Sequence, residues 1–206
     1  MRCWGAGLIL NAASTYIEKN YGAQINKFAL DLSPGMLKIQ NERNVDLKKA
    51  LNEDICKTSL GDKEIDLTLM IDVLEHVPNP TKALEEVKRI SKFIILKVPL
   101  ENNILLNTMD FITKGKVRQE LIETVGHINV YNFNKLNYEI EKHAGYVLDS
   151  YYTNVFDYVK NSEHYKNKMS TRFKLMNFVA GHTFKASPKL SSIVFSDFAM
   201  ILVKCY

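Results

Sequence analysis

The sequence is poor in cysteine and has no long apolar run, and each shortage excludes a class of protein. Its 206 residues include three cysteines, which stand far apart. Such a set indicates neither a disulfide framework nor a zinc site and is typical of a reducing compartment. No apolar run is long enough for a membrane-spanning helix, and the one after Arg2 is too brief for a signal peptide. We therefore expect a cytoplasmic protein.

Positive charge is distributed unevenly along the chain. The net charge is +4, and residues 157–192 contain seven basic residues against two acidic ones. Aromatic residues alternate loosely with these charges, a mixture that is typical of nucleic-acid surfaces and of helices that contact membranes. We favour a third interpretation, an amphipathic helical cover whose lysines face water. No nucleic-acid partner is expected, whereas contact with a membrane or a lipid-linked substrate through 157–192 stays an alternative.

The order of apolar patterns predicts an α/β protein with a parallel sheet flanked by helices. The length suits one domain, 1–206, with a basic and aromatic insertion at about 157–192 between the last two strands. Strands are predicted at Lys27–Asp31, around Leu51, and at Ile65–Ile71, Phe93–Val98, Val147–Tyr152 and Phe198–Val203. Helices are predicted at Ala12–Asn20, from Pro34 to Gln40, from Pro80 to Ile90, and at Phe133–Ala144.

Local signals set several boundaries of these elements. Ser33-Pro34 and Asn79-Pro80 each combine an N-cap side chain with a proline in the first turn. Pro99 is expected to end its strand, and Gly145 to stop the helix before it. Ile65–Ile71 is apolar on both faces, which predicts a fully buried strand. Within the helix from Pro80, Glu85 and Arg89 are expected to pair.

Three polar features fall where successive strands are predicted to end, at the edge where open α/β sheets bind ligands. Gly5 and Gly7 precede the first helix, where glycines let backbone amides approach a ligand. Asp31 could accept hydrogen bonds from ribose hydroxyls, and Asp54 from a purine amine. Singly, each has a plainer interpretation: a turn, a strand end or a solvated loop acid. Their order and spacing together favour an adenosine-shaped site.

Two stretches of the chain resemble motifs of class I S-adenosylmethionine-dependent methyltransferases of the small-molecule type. They are Ala29 to Leu37 (ALDLSPGML) and Ile65 to Pro80, which includes the run Leu-Glu-His-Val. Gly126-His127-Ile128, followed by the helix that leads to Ala144-Gly145-Tyr146, is also similar. The resemblance covers roughly the first two-thirds of the chain and implies a Rossmann-like fold, with a mostly parallel twisted sheet and helices on both faces.

The resemblance also implies S-adenosyl-L-methionine as cofactor and assigns the residues that bind it. Gly5 and Gly7 would flank its methionine part. Asp31 and Leu32 would hold the ribose, Asp54 and Ile55 would face the adenine, and Asp72 and Val73 would line the floor below the methyl group. No metal ligand is implied. The reaction would be methyl transfer to an oxygen or nitrogen of a small molecule, such as a sugar, a quinone-like compound or a lipid-linked metabolite.

Two histidines are candidates for the base that an acceptor hydroxyl requires. His127 lies in an irregular loop and is the one we select, because an unperturbed imidazole titrates near neutral pH. The plainer interpretation is a solvated loop histidine. His76 is expected to be structural and to cap the turn before Pro80. Glu101, Asn102 and Asn103 follow a strand end and are either substrate contacts or a polar loop.

The N-terminus departs from the family pattern. The family site begins with an apolar strand and three glycines, whereas Met1 stands almost inside the glycine loop and Cys3 occupies the first glycine position. We expect the first strand to be missing or replaced, and favour an N-terminally truncated chain. A degenerate, non-catalytic domain is the main alternative. A nicotinamide-dependent dehydrogenase is less supported, because Leu10 stands where its third glycine would be.

Overall fold

The computed structural model describes residues 7–161 and 170–206. The strands in these ranges are β1 (Lys27–Leu30), β2 (Leu47–Leu51), β3 (Ile65–Ile71), β4 (Ser91–Leu100), β5 (Gly145–Thr153) and β6 (Asp197–Cys205). The helices are α1 (Leu8–Tyr21), α2 (Pro34–Arg43), α3 (Pro80–Ile90), α4 (Ile104–Ile112), α5 (Lys116–Thr124), α6 (Phe133–His143), α7 (Val155–Asn161), α8 (Thr171–Ala186) and α9 (Pro188–Val194).

The strands form two sheets. β1 and β2 pair in parallel as a two-stranded sheet, and the other four strands are ordered β3-β4-β6-β5. β3 is parallel to β4, whereas β6 is antiparallel to both β4 and β5. Three strands of the larger sheet therefore share one direction, and β6 opposes them. This arrangement confirms the predicted α/β class with a mostly parallel sheet.

The hydrophobic core is built around β4 and β6. Alternate residues of both strands are almost completely buried, including Leu96, Val98 and Ile201. Helices α3 and α6 pack against each other and add Leu84 and Leu136 to the same core. The predicted apolar face of α3 is confirmed, since Ala83, Leu84, Val87 and Ile90 are all buried. Most of the burial that stabilises the fold thus lies in the larger sheet and its helices.

The prediction that β3 is buried on both faces is wrong. Met70 is its one buried residue, and the side chain of Leu67 in mid-strand is 38% exposed. The reason lies in the sheet topology. Among the residues that the structure describes, β3 pairs with β4 on one edge and with no strand on the other, because β1 and β2 form a separate sheet. β3 therefore has the apolar composition of an interior strand but, among the described residues, one edge that no other strand pairs with.

The predicted N-caps are confirmed. The Ser33 hydroxyl accepts a hydrogen bond from the Met36 amide, and the Asn79 side chain accepts one from the Lys82 amide. Each satisfies an amide that the first helical turn leaves without a partner. The predicted pairing within α3 needs correction, because Arg89 binds Glu86 instead of Glu85. Glu86 faces the loop between β2 and β3, where the amide and hydroxyl of Thr58 also donate hydrogen bonds to its carboxylate.

Three predicted strand boundaries also differ. Leu51 is the last residue of β2, not its centre. β4 continues through Pro99, which pairs with Phe198 of β6, because β3 has already ended opposite Lys97 and one side of Pro99 requires no ladder donor. β5 begins at Gly145, two residues before the predicted start at Val147, and Gly145 directly follows Ala144, the C-cap of α6.

Helices α7, α8 and α9 lie between β5 and β6, where the sequence predicts the basic cover. Lys160, Lys185 and Lys189 are exposed, as expected of lysines that face water. Residues 162–169 of the predicted insertion lie outside the described ranges, and the division of the chain into one domain with an insertion stays a prediction. None of the described helices combines the length and the apolar character needed to cross a bilayer.

Candidate active site

Asp31 lies at the carboxyl end of β1 and is almost buried. Its carboxylate accepts a hydrogen bond from the Ser33 amide at 2.8 Å, and its amide donates to the Leu51 carbonyl. The Asn52 side chain binds the carbonyls of Asp31 and Leu32. These contacts hold the ends of β1 and β2 together, while the side chain of Leu32 points largely into solvent.

Asp54 and Ile55 belong to the loop that follows β2. The Asp54 carboxylate accepts a hydrogen bond from the Cys56 amide, and the Cys56 thiol lies 3.6 Å from the Asn79 carbonyl. Ile55 packs against the core beside these residues. The loop therefore spans from the tip of β2 to the segment that follows β3.

Asp72 and Val73 come directly after β3. Asp72 has a positive φ of 51°, and both of its carboxylate oxygens lie 2.8 Å from the Lys97 ammonium. Lys97 also stacks over the Phe198 ring. The charge of Asp72 is thus paired within the protein, and Val73 packs against the core.

Gly7 lies beside the C-terminus of α2, and its predicted role in flanking the methionine part of the cofactor stays a prediction. The Gly7 carbonyl accepts a hydrogen bond from the side chain of Asn44, the C-cap of α2, whereas Asp31 precedes the N-terminus of that helix. The ten residues of α2 span about 15 Å. A Cβ on Gly7 would lie 2.5 Å from the Asn44 amide nitrogen, and the φ of 78° is one that residues with a side chain rarely adopt. Gly5 lies outside the described residues.

A second group of polar side chains gathers at the carboxyl ends of β3 and β4. Nδ1 of His127 lies 2.8 Å from a carboxylate oxygen of Glu101. The ring of His76 meets that of His127 edge-on, with their centroids 4.9 Å apart. Nε2 of His76 lies 3.9 Å from the Glu75 carboxylate. Residues from three parts of the chain thus form one cluster, which we call the Glu-His cluster: Glu75, His76, Glu101 and His127.

The structure corrects the predicted role of His76. Asn79 caps α3, whereas Nδ1 of His76 lies 3.0 Å from the Gly126 carbonyl and so ties the segment after β3 to the loop that carries His127. Asn103 is buried and caps α4, which favours the structural interpretation of that residue. Glu101 instead points to His127.

Burial shapes the electrostatics of the cluster. The side chain of Glu75 is 1% exposed, and burial raises its pKa to about 7. Burial disfavours the charged form of His127 too, but the hydrogen bond and charge of Glu101 outweigh it, so the pKa of His127 is raised. The pKa of His76 is lowered, chiefly by burial. The cluster therefore combines a buried acid with two imidazoles whose pKa values the surroundings shift in opposite directions.

Comparison with known proteins agrees with this architecture. Residues 4–92 match the family model described as "Methyltransferase domain". A protein of Methanocaldococcus jannaschii, "Uncharacterized protein MJ1123", is 33% identical over 88 residues, which are 43% of this chain and 40% of that protein. This match therefore spans less than half the length of that relative.

Solved structures extend the similarity to nearly the whole chain. One, described as a sarcosine dimethylglycine methyltransferase from Galdieria sulphuraria, has a TM-score of 0.63 at 12% identity and covers 97% of this chain and 76% of its own. The chain has the fold of these methyltransferases. Another similar structure, geranyl diphosphate C-methyltransferase from Streptomyces coelicolor, was solved with Mg²⁺, geranyl diphosphate and S-adenosyl-L-homocysteine, at a TM-score of 0.57 and 8% identity over 93% of this chain and 66% of its own. The predicted Rossmann-like fold is confirmed, whereas S-adenosylmethionine as the cofactor of this chain stays a prediction.

The described residues fit one half of that cofactor. Asp31 and Asp54 lie at or after adjacent strand ends, and the Asp54 loop contacts the turn after β3, so acceptors for a nucleoside are present. The methionine half is not matched in the same way, because Gly7 lies at the far end of α2. Sequence reasoning found Asp31 and His127 but missed Glu75, whose proximity to His127 depends on a tertiary contact between segments about fifty residues apart.

Proposed function

We propose that this methyltransferase transfers a methyl group from S-adenosylmethionine to an oxygen or nitrogen of a small-molecule acceptor. The observation that supports an acceptor with a removable proton is the pair formed by His127 and Glu101, 2.8 Å apart at the carboxyl edge of the sheet. Methyl transfer itself needs mainly positioning and exclusion of water. A base is required in addition when the acceptor is a hydroxyl or a protonated amine.

His127 is the proposed base. If Nδ1 donates its proton to Glu101, the lone pair of Nε2 is available to accept a proton from the acceptor. Glu101 then stabilises the imidazolium that forms, as its charge already raises the pKa of His127. Glu101 thus acts as a positioning residue, and His127 as the group that touches the acceptor.

The proposed cofactor site uses the strand ends. Asp31 with Leu32 accepts the ribose hydroxyls, Asp54 with Ile55 faces the adenine, and Asp72 with Val73 lies below the reacting methyl. The cofactor, when bound, supplies an electrophilic methyl group on a sulfonium. The short distance between the Asp72 carboxylate and Lys97 favours a role in shaping the floor of the site over direct proton transfer.

Binding of S-adenosylhomocysteine tests the cofactor site. Calorimetry with the whole chain should show binding that Asp31→Asn weakens by at least tenfold, because the amide loses the charge that attracts two hydroxyl donors. Asn retains an oxygen for the Ser33 amide, so the turn is preserved. Asp66→Asn, a change at an exposed acid near the start of β3, is the control. Equal affinity in the Asp31 and Asp66 variants would refute the assignment.

The proposed base is tested separately. With a panel of hydroxyl and amine acceptors, His127→Asn should lower the rate of methyl transfer by about 10² to 10⁴-fold while S-adenosylhomocysteine binds as before. A variant with an unchanged rate would remove His127 from the mechanism. Methylation confined to carbon acceptors would contradict the proposed acceptor class.

A second candidate is a non-catalytic methyltransferase-like domain. The position of Gly7, away from Asp31, favours it. A ligand that binds only the folded state must raise the melting midpoint. A midpoint that does not change at millimolar S-adenosylhomocysteine would favour this candidate over the enzyme.

A further inference from the structure

We propose that Glu75, His76 and His127 bind one divalent first-row transition ion at the carboxyl end of β3. One donor atom from each of the three side chains lies within 4.8 Å of the other two. Two imidazoles and a carboxylate form a donor set typical of zinc, manganese, iron and cobalt sites.

The state of Glu75 provides an independent reason to expect a cation. Neither of its carboxylate oxygens accepts a hydrogen bond from any residue in the described part of the chain. Its side chain is 1% exposed, so water does not solvate it freely. A buried carboxylate without a partner is costly, and native proteins normally pair such groups or use them to ligate metals. A bound cation would satisfy both oxygens.

Both histidines are held as metal ligands usually are. A ligating imidazole typically donates its second ring N–H to a backbone carbonyl or a carboxylate, which fixes its tautomer and orientation. Nδ1 of His76 lies 3.0 Å from the Gly126 carbonyl, and Nδ1 of His127 lies 2.8 Å from Glu101. Each contact leaves Nε2 with a lone pair. The two rings also lie nearly edge-to-face, with side chains mostly buried.

The geometry requires the side chains to draw together on binding. Ligand distances of about 2.1 Å and tetrahedral angles place two ligand atoms about 3.4 Å apart. The donor atoms lie within 4.8 Å of one another, so the widest pair must approach by up to about 1.4 Å through side-chain rotation. Asp72 does not join the set, because Lys97 already holds both of its oxygens. Glu101 acts from behind His127 as a positioning residue.

Three protein ligands leave coordination positions for water or for an oxygen of the acceptor. This consequence rests on the proposed function: the ion would lower the pKa of a bound hydroxyl and replace the free imidazole of His127 as the means of activating it. Binding of the ion does not depend on methyl transfer, so it can be tested alone.

Titration with Zn²⁺ and with Co²⁺ is the direct experiment. Calorimetry should give one strong site per chain, and Co²⁺ should give a visible absorption band of the same stoichiometry. Glu75→Gln and His127→Asn should each weaken binding by at least 100-fold, and Glu101→Gln by about 10-fold. Mg²⁺, which prefers all-oxygen sites, should bind far more weakly.

His143→Asn is the matched control, because His143 also lies near two carboxylates, Glu85 and Glu139, outside the cluster. The proposal is overturned if His143→Asn removes the strong site, or if Glu75→Gln and His127→Asn both bind Zn²⁺ like the parent chain. Circular dichroism establishes whether each variant is folded. If Glu75→Gln does not fold, the metal affinity of His127→Asn still tests the proposal. Loss of the ion site with intact S-adenosylhomocysteine binding would leave the proposed function standing.

Discussion

At the scale of single residues, the carboxylate of Glu86 joins two parts of the chain. It accepts hydrogen bonds from the amide and hydroxyl of Thr58 and from the guanidinium of Arg89, which also binds Asp62. These contacts, the Arg89 bond first, lower the pKa of Glu86 to about 2. The loop before β3 is thereby fastened to α3.

Glu86→Gln should therefore destabilise the protein by about 1.5–3 kcal/mol at pH 7, since hydrogen bonds to charged groups contribute about this much. Because the folded pKa lies below the usual 4.5, the contribution is complete above about pH 5 and is lost as the pH falls towards 2. Urea unfolding at pH 7 and pH 3 should show the gap between parent and variant narrowing. Glu120→Gln, at an exposed site, should change stability little; a gap that is constant with pH would contradict the argument.

The contribution of Asp197 to the free energy of unfolding should depend on pH in the opposite direction. Burial raises its pKa to about 6, although Phe198 and Thr153 donate hydrogen bonds to one of its oxygens. The folded state then holds a proton that the unfolded chain releases near 3.8, so stability should fall as the pH rises from about 4 to above 6. Asp197→Asn should make this slope shallower in urea unfolding, and the part due to Glu75, whose pKa burial raises to about 7, should remain. The same slope in both proteins would show that another group causes it.

At the scale of elements, Gly145 shows how one position controls a strand pair. A Cβ there would collide with the Lys204 carbonyl, which lies across the β5–β6 ladder. Gly145→Ala should destabilise the protein by about 2 kcal/mol or more, because the obstruction is backbone. Gly35→Ala in α2 is the matched change, with no atom nearer than 3.7 Å, and should be neutral or stabilising by about 0.5–1 kcal/mol. The melting midpoint should be lower than that of the parent protein for Gly145→Ala and equal or higher for Gly35→Ala. Equal midpoints in the two variants would contradict the argument.

Elements whose limits depend on local chemistry could be predicted from sequence. Ser33 and Asn79 cap their helices because a hydroxyl or amide three residues before an unpaired N–H suffices. The strand end and the strand burial that were predicted wrongly depend on the neighbouring strands of the sheet. Pro99 stays within β4 because β3 has ended beside it, and β3 is open because of how the sheets divide, neither of which a single segment can reveal.

In the candidate site too, local motifs could be recognised from sequence, whereas contacts between distant segments could not. Asp31 and His127 stand in recognisable motifs, and the structure places each at the carboxyl edge of a sheet. Glu75 and His76 stand in a motif as well, but their closeness to His127 results from a contact between segments about fifty residues apart. A glycine such as Gly7 signals a close approach without specifying the neighbour, which here is Asn44, and its predicted contact with the cofactor stays a prediction.

At the scale of the whole molecule, stability should be divided between the two sheets. The core is formed by β3 to β6 with α3 and α6, whereas α1 buries Ser14 alone among its side chains and β1–β2 hydrogen-bond mainly to each other. Segments with little apolar burial open at lower free energy than a core. Hydrogen exchange should thus be faster in peptides from 8–21 and 27–51 than in those from 91–100 and 197–205.

Cofactor binding should change that pattern in a defined way. If Asp31 and Asp54 hold one end of the ligand and Asp72 the floor, S-adenosylhomocysteine links the β1–β2 sheet to β3, and protection should rise across 27–55 and 72–79 more than in β6. The ligand adds to stability by its binding free energy and confers protection where it joins segments that otherwise open separately. Asp31→Asn should remove the added protection, and Asp66→Asn should not. If the ligand raises protection equally in all peptides, the two sheets already open as one unit. That result would contradict the proposal that the two sheets differ in stability.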